Sequence, residues 1–240
     1  MQVLIDVGIL LASYVFGSIP FGLIVVKIMT GKDIRTIASG RTGGTNAMRA
    51  AGPWAGLLTA VLDIFKAAAT VWLAQAITHN VWIHSLAPIA AVIGHNYSIF
   101  LIERAPDGHI QLRGGAGGSA AGGGAFGLWP PVAFILLPLG LLIWYITGYA
   151  SVTTLSIGII AIIIFGIRAF FGLGPWAYVI YGFLVELLML WALRPNLKRL
   201  REGTERRHGL PVKLEQLKRA RDEKKSGKPS STQEKGGKRF

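Results

Sequence analysis

Cysteine is absent from the 240 residues. That excludes a disulfide framework and any thiolate-held metal. Charge is scarce: Asp, Glu, Lys and Arg make up 15% of the chain against 52% hydrophobic residues, and mean hydropathy is +0.48. A soluble domain carries more charge than this, so the composition is that of a polytopic membrane protein. Acids are scarcer than bases, 12 against 25. From Arg194 onward there are 16 Lys and Arg against 6 Asp and Glu, so most of the +13 net charge lies in that tail. No nucleic-acid-binding motif accompanies it. Beside membrane spans, a basic tail meets anionic lipid headgroups. There is no internal repeat, and no small-residue cleavage site follows the first apolar run, which is therefore read as a retained span.

Seven apolar runs are present: Val3–Met29, Pro53–Thr78, Trp82–Ile102, Gly114–Gly127, Val132–Thr147, Val152–Ile167 and Pro175–Leu193. They predict an all-α fold of about seven transmembrane helices, with residues 1–193 as the membrane domain. The basic tail, 194–240, places the C-terminus in the cytoplasm and, with seven spans, the N-terminus outside. Lys32–Arg49 and Glu103–Arg113 then lie inside, while the loops near residues 80 and 130 carry no Lys or Arg. Val212–Arg219 reads as a short amphipathic surface helix, and the chain from about residue 226 as disordered. Pro20 interrupts the first run and should kink it, freeing a backbone group that the bundle must satisfy.

The polar stretch Gly31–Gly52, GKDIRTIASGRTGGTNAMRAAG, separates the first two runs. It combines Lys32, Arg35, Arg41 and Arg49 with the hydroxyls of Ser39, Thr42 and Thr45, the amide of Asn46 and several glycines. Cations, hydroxyls and close-approaching N–H groups suit a phosphate; the same composition also suits a solvated loop. Asp63 and Lys66, three residues apart on one helix face, should pair inside the bundle, as a packing device or as part of a site. His95 closes the third run and reads either as a packing residue or as a phosphate donor or proton acceptor. Arg113-Gly114-Gly115 opens a glycine-rich run whose N–H groups suit an anion and whose small residues suit close helix packing. Glu186 is an isolated acid in the last run, expected in the interior.

In one order, GSIPFG at 17–22, DIR at 33–35, SGRTGGTNAMRAAG at 39–52, LDIFK at 62–66, GHNYSIF at 94–100, RGGAGG at 113–118 and NLKRLREGTE at 196–205 resemble the acyl-phosphate-dependent membrane glycerol-3-phosphate acyltransferases of bacteria, the PlsY type. The resemblance implies a multi-pass protein of the bacterial cytoplasmic membrane. It implies transfer of a fatty acyl group from acyl phosphate to the 1-position of sn-glycerol 3-phosphate, giving lysophosphatidic acid and phosphate, with no cofactor and no metal. On it, His95, Ser39 and Arg49 are the expected catalytic residues. Thr45, Asn46, Arg41, Arg113, Gly114, Gly115, Gly117, Ser151 and Asn196 are expected to bind substrate. The chain departs from the family pattern at Ala116, where a lysine is usual, and at Leu193, where a histidine is usual. It departs also at Arg41 for asparagine and Ser98 for proline. Ala116 and Leu193 keep open a catalytically weakened relative that binds acyl phosphate or phosphatidic acid. The broken first run and the glycine-rich fourth leave an anion transporter as a third reading.

Overall fold

The structure is a computed structural model and describes residues 1–105, 107–207, 211, 212, 214, 215, 217 and 218. All seven apolar runs are helical. The first is α1 (Gln2–Gly17) and α2 (Phe21–Thr30), separated at Ser18–Pro20. The others are α4 (Pro53–Ile77), α5 (Val81–Asn96), α6 (Gly118–Leu128), α7 (Ala133–Thr147), α8 (Ala150–Phe170) and α9 (Trp176–Ala192). Between the runs lie α3 (Gly44–Ala51) and α10 (Arg194–Arg201). Among the described residues, four segments, Gln2–Thr30, Pro53–Ile77, Pro130–Thr147 and Ala150–Phe170, are long and apolar enough to cross a membrane. A fifth is counted if α9 and α10, bent by 65°, are one span. The chain is a multi-pass, helical membrane protein. α6, with 11 residues, rises only ~16 Å, about half a hydrocarbon core.

Two polar connections hold regular structure that their composition does not suggest. The connection Glu103–Arg113 is not only a loop: β1 (Ile102–Arg104) and β2 (Ile110–Leu112) pair antiparallel, Glu103 opposite Gln111. The polar stretch 31–52 holds an eight-residue helix, α3, whose buried Ala47 packs with Val26 and Ile34. In the tail, Pro211, Val212, Leu214, Glu215, Leu217 and Lys218 are helical, with Leu214 and Leu217 exposed. The disorder expected from about residue 226 falls outside the described residues.

Small residues set the packing. A Cβ at Gly17 or Gly94 would strike backbone of the facing helix, so α1 and α5 cross in near backbone contact. Gly123 lies on the Ile64 carbonyl and Gly127 on Ala68 and Val71, which brings α6 equally close to α4. The main core gathers Val71, Val92, Phe165, Tyr181, Val185 and Met189. Large apolar side chains such as Phe134, Ile163, Phe170 and Trp176 point outward, as a lipid-facing surface requires. The carbonyls freed around Pro20 find partners on neighbouring elements. Ser98 Oγ donates to Ser18 O at 2.6 Å, and Lys66 Nζ donates to Ile19 O at 2.9 Å.

Candidate active site

The ends of α2, α5 and α9 and the starts of α4, α6 and α8 meet at one end of the bundle, held by hydrogen bonds between their connecting segments. The Thr42 N–H donates to Gly114 O at 3.3 Å, and the Gly115 N–H donates to His95 O at 2.8 Å. Arg41 donates to Gly115 O at 3.1 Å and to Ala192 O at the end of α9. One guanidinium thus ties the first polar loop, the glycine-rich loop and the last span together. Here the glycines are required: a Cβ at Gly114 would strike His95 O, and one at Gly115 would occupy His95 Nε2.

Beneath this layer sits a buried triad. Asp63, Lys66 and His95 are 0%, 2% and 5% exposed. Lys66 Nζ lies 2.7 Å from Asp63 Oδ1 and 3.0 Å from His95 Nδ1, and His95 Nδ1 lies 3.4 Å from the same carboxylate oxygen. The shorter contact assigns the tautomer: Lys66 donates to an unprotonated Nδ1, so Nε2 carries the hydrogen and faces Gly115. In that state His95 offers a donor to the glycine-rich loop.

The expected residues divide by environment. Ser39 is exposed, flanked by Ala38 at φ +49° and Gly40 at φ +68°, and its Oγ accepts from the Arg41 N–H at 3.4 Å. Ala38 is the one non-glycine residue at positive φ among the described residues, a strained backbone beside the loop. Thr45 lies half-buried in the first turn of α3. The Asn46 amide nitrogen faces inward to Ile34 O, Ile37 O and Arg41 O at 3.2, 3.0 and 2.8 Å, so this residue shapes the loop. Arg113 pairs through Nε with Glu103 Oε2 at 2.7 Å. Arg35 binds Asp33 at 2.7 Å and Glu103 at 3.1 Å. These four side chains and Thr36 line a shallow cavity in which cations and carboxylates balance. The Arg35 guanidinium holds the Asp33 carboxyl below the usual carboxylate range.

Ser151 and Asn196 meet a residue absent from the sequence reading of the site. Glu205, 9% exposed, accepts from Ser151 Oγ at 2.6 Å and from Asn196 Nδ2 at 2.9 Å. The tail therefore folds back on the start of α8, and Arg207 Nε donates to Tyr149 Oη at 2.6 Å. Arg49 faces the same cluster. Burial, and then Arg206 and Arg199, pull its pKa down against the pull of Glu205. Burial and Arg199 lower Arg41 likewise. Both remain cations; burial is the larger cause of the lowering, and the neighbouring arginines add positive charge that an anion would relieve. Among the described residues no cluster of His, Asp and Glu could hold a metal ion.

The protein is a helical membrane bundle whose cations, hydroxyls and loop N–H groups converge at one end. Comparison with known proteins narrows this. The glycerol-3-phosphate acyltransferase family model matches residues 7–203, and the chain belongs to that family. A glycerol-3-phosphate acyltransferase of Thermus thermophilus is 38% identical over 200 residues, 83% of this chain and 94% of the relative. One from Rubrobacter xylanophilus is 34% identical over 207 residues, 86% and 96% of the two chains. The fold is similar to crystal structures of PlsY (YgiH), an integral membrane glycerol 3-phosphate acyltransferase. The glycerol 3-phosphate form superposes with a TM-score of 0.74 at 27% identity, covering 87% of this chain and 98% of that one. The lysophosphatidic acid form gives 0.71 at 26% identity, covering 85% and 95%.

Proposed function

We propose that this protein is an acyltransferase that acylates glycerol 3-phosphate in phospholipid synthesis, with acyl phosphate as donor and lysophosphatidic acid and phosphate as products. The observation that carries the reading is that the family match, residues 7–203, includes every residue assembled at the helix ends except Glu205 and the tail beyond it. The chemistry fits. A mixed anhydride is already activated, so catalysis needs two phosphoryl-bearing substrates positioned and developing charge stabilised. Arg41 and Arg49 supply charge, and Ser39 and Thr45 supply hydroxyls. Gly114, Ala116 and Gly117 supply backbone N–H groups with no partner among the described residues. The glycerol 1-hydroxyl attacks the acyl carbonyl, the C–O bond to phosphate breaks, and phosphate leaves. With Nε2 protonated, His95 acts as a donor to a phosphoryl or carbonyl oxygen, and the substrate's own phosphate takes the hydroxyl proton.

The departures at Ala116 and Leu193 are met by a third. Arg41 bonds the carbonyls of Gly115 and Ala192, each the immediate neighbour of a departed position. A cation thus stands where the two loops meet, which favours an active enzyme over a weakened binder. The seven-span topology with the N-terminus outside, and residence in the bacterial cytoplasmic membrane, belong to the same reading. Alternating crossings bring the end of each odd-numbered span and the start of each even-numbered one to a single, cytoplasmic side. There the basic tail, 194–240, meets anionic headgroups. The test is purified protein in detergent with palmitoyl phosphate and glycerol 3-phosphate, assayed for phosphate and lysophosphatidic acid. Phosphate release that requires glycerol 3-phosphate is expected; none at all rejects the proposal.

A further inference from the structure

Asn96 ends α5 one residue after His95 and is 3% exposed. Neither its Nδ2 nor its Oδ1 has a hydrogen-bond partner among the described residues. A buried amide left without partners is costly and calls for an explanation. Its position supplies one. Gly117, at φ +95°, immediately precedes the eleven-residue helix α6. A Cβ at Gly117 would come within 3.0 Å of Asn96 Oδ1 and 3.2 Å of Asn96 Nδ2. The amide therefore lies against the backbone at the mouth of α6, where the first N–H groups have no intrahelical acceptor and the helix dipole favours negative charge. Thr154 of α8 borders the same mouth: a Cβ at Gly118 would be 3.0 Å from Thr154 Oγ1.

An amide presents a donor and an acceptor side by side. A phosphoryl oxygen can take the donor, and a hydroxyl on the same ligand can satisfy Oδ1 at the same time. Of the two substrates proposed above, acyl phosphate has no hydroxyl and glycerol 3-phosphate has two. We infer that Asn96 is a specificity residue for the polyol phosphate: Nδ2 donates to a phosphate oxygen lodged at the N-terminus of α6, and Oδ1 accepts from a glycerol hydroxyl. This inference rests on the acyltransferase reading for its substrates.

The test is Asn96→Ala and Asn96→Asp in the full-length protein. Losing a hydrogen bond to a charged group should raise KM for glycerol 3-phosphate at least tenfold in Asn96→Ala, with KM for palmitoyl phosphate within twofold. Asn96→Asp, which sets a carboxylate against the phosphate, should raise it further. A rise confined to KM for palmitoyl phosphate, or both KM values unchanged, overturns the assignment. Thermal unfolding with and without glycerol 3-phosphate provides a readout independent of turnover. The ligand should raise Tm of the wild type and not of Asn96→Ala, and equal shifts overturn the inference. If Asn96→Ala does not fold, Asn96→Ser carries both measurements. A wild type that is stabilised by glycerol 3-phosphate but releases no phosphate would reject the acyltransferase reading and leave this comparison decisive.

Discussion

Removing the Arg41 guanidinium should separate three segments at once. Its two hydrogen bonds run to Gly115 O and Ala192 O. A hydrogen bond from a charged donor contributes ~1.5–3 kcal/mol. Two give a gross ~3–6 kcal/mol, of which water, reaching a half-buried site, restores part. A net ~3 kcal/mol corresponds to roughly 100-fold, since about 1.36 kcal/mol is a factor of ten in rate. Because both bonds hold loops of the site in place, Arg41→Ala should lower kcat/KM for phosphate release from palmitoyl phosphate by about 100-fold and, at about 2–4 °C per kcal/mol, lower the melting temperature by about 6–12 °C. Arg41→Lys should fall between, because one ammonium keeps the charge but not the planar fork that spans two carbonyls. Adding Ala116→Lys to Arg41→Ala returns a cation beside Gly115 and should recover part of the loss. An Arg41→Ala protein within threefold of the wild type would refute the clamp.

Lys66→Ala leaves the Asp63 carboxylate buried without its ion-pair partner and should cost about 3–5 kcal/mol in thermal or denaturant unfolding in detergent, whereas Asp63→Asn with Lys66→Met together should recover most of that; an unchanged single variant would show the pair to be idle. Gly123→Ala would drive a Cβ into the Ile64 carbonyl, backbone that cannot step aside, and should destabilise by about 1–3 kcal/mol, while Gly166→Ala, with nothing within 4 Å, should not. Equal melting temperatures for those two would remove the argument for the α4–α6 contact. The Asp33 pKa is lower folded than unfolded, so its stabilisation is full above the unfolded value and lost as pH falls through the folded one. Asp33→Asn should accordingly flatten the decline of Tm between about pH 5 and pH 3; an unaltered decline would contradict the shift.

Much of the scaffold is written locally. Pro53 starts α4, Gly148 at φ +75° ends α7, and Pro20 breaks the first span, each by a constraint that one residue imposes. The β1–β2 hairpin was not anticipated: residues 103–113 were expected only as a polar connection, although Ala105-Pro106-Asp107-Gly108 is a turn sequence. α3 was harder to read. Its glycines and polar residues suggest a loop, and only the spacing of Ala47, Ala50 and Ala51 marks an apolar face. Glu205 could not have been placed, because Ser151 lies 54 residues away and the tail's composition reads only as basic. Asn46 shows the opposite limit. Its residue type suggested a phosphate donor, but its direction, settled by three carbonyls of its own loop, is a matter of geometry.

Which cations serve the site follows from what neutralises them. Arg35 and Arg113 share Asp33 and Glu103, so that group carries no surplus charge and shapes the hairpin's contact with the first loop. Arg41 donates to carbonyl oxygens, those of Gly115 and Ala192. Arg49 feels the charges of Arg206, Glu205 and Arg199, and the Glu205 carboxylate is itself occupied by Ser151 and Asn196. Carbonyl acceptors orient a guanidinium without cancelling its charge, and a shared carboxylate cancels only part of it. The surplus positive charge thus lies between Arg41 and the folded-back tail, beside His95 and the mouth of α6. It does not lie at the shallow cavity under Arg113. A phosphate entering there meets preorganised donors, which is the electrostatic condition for holding two anionic substrates close together.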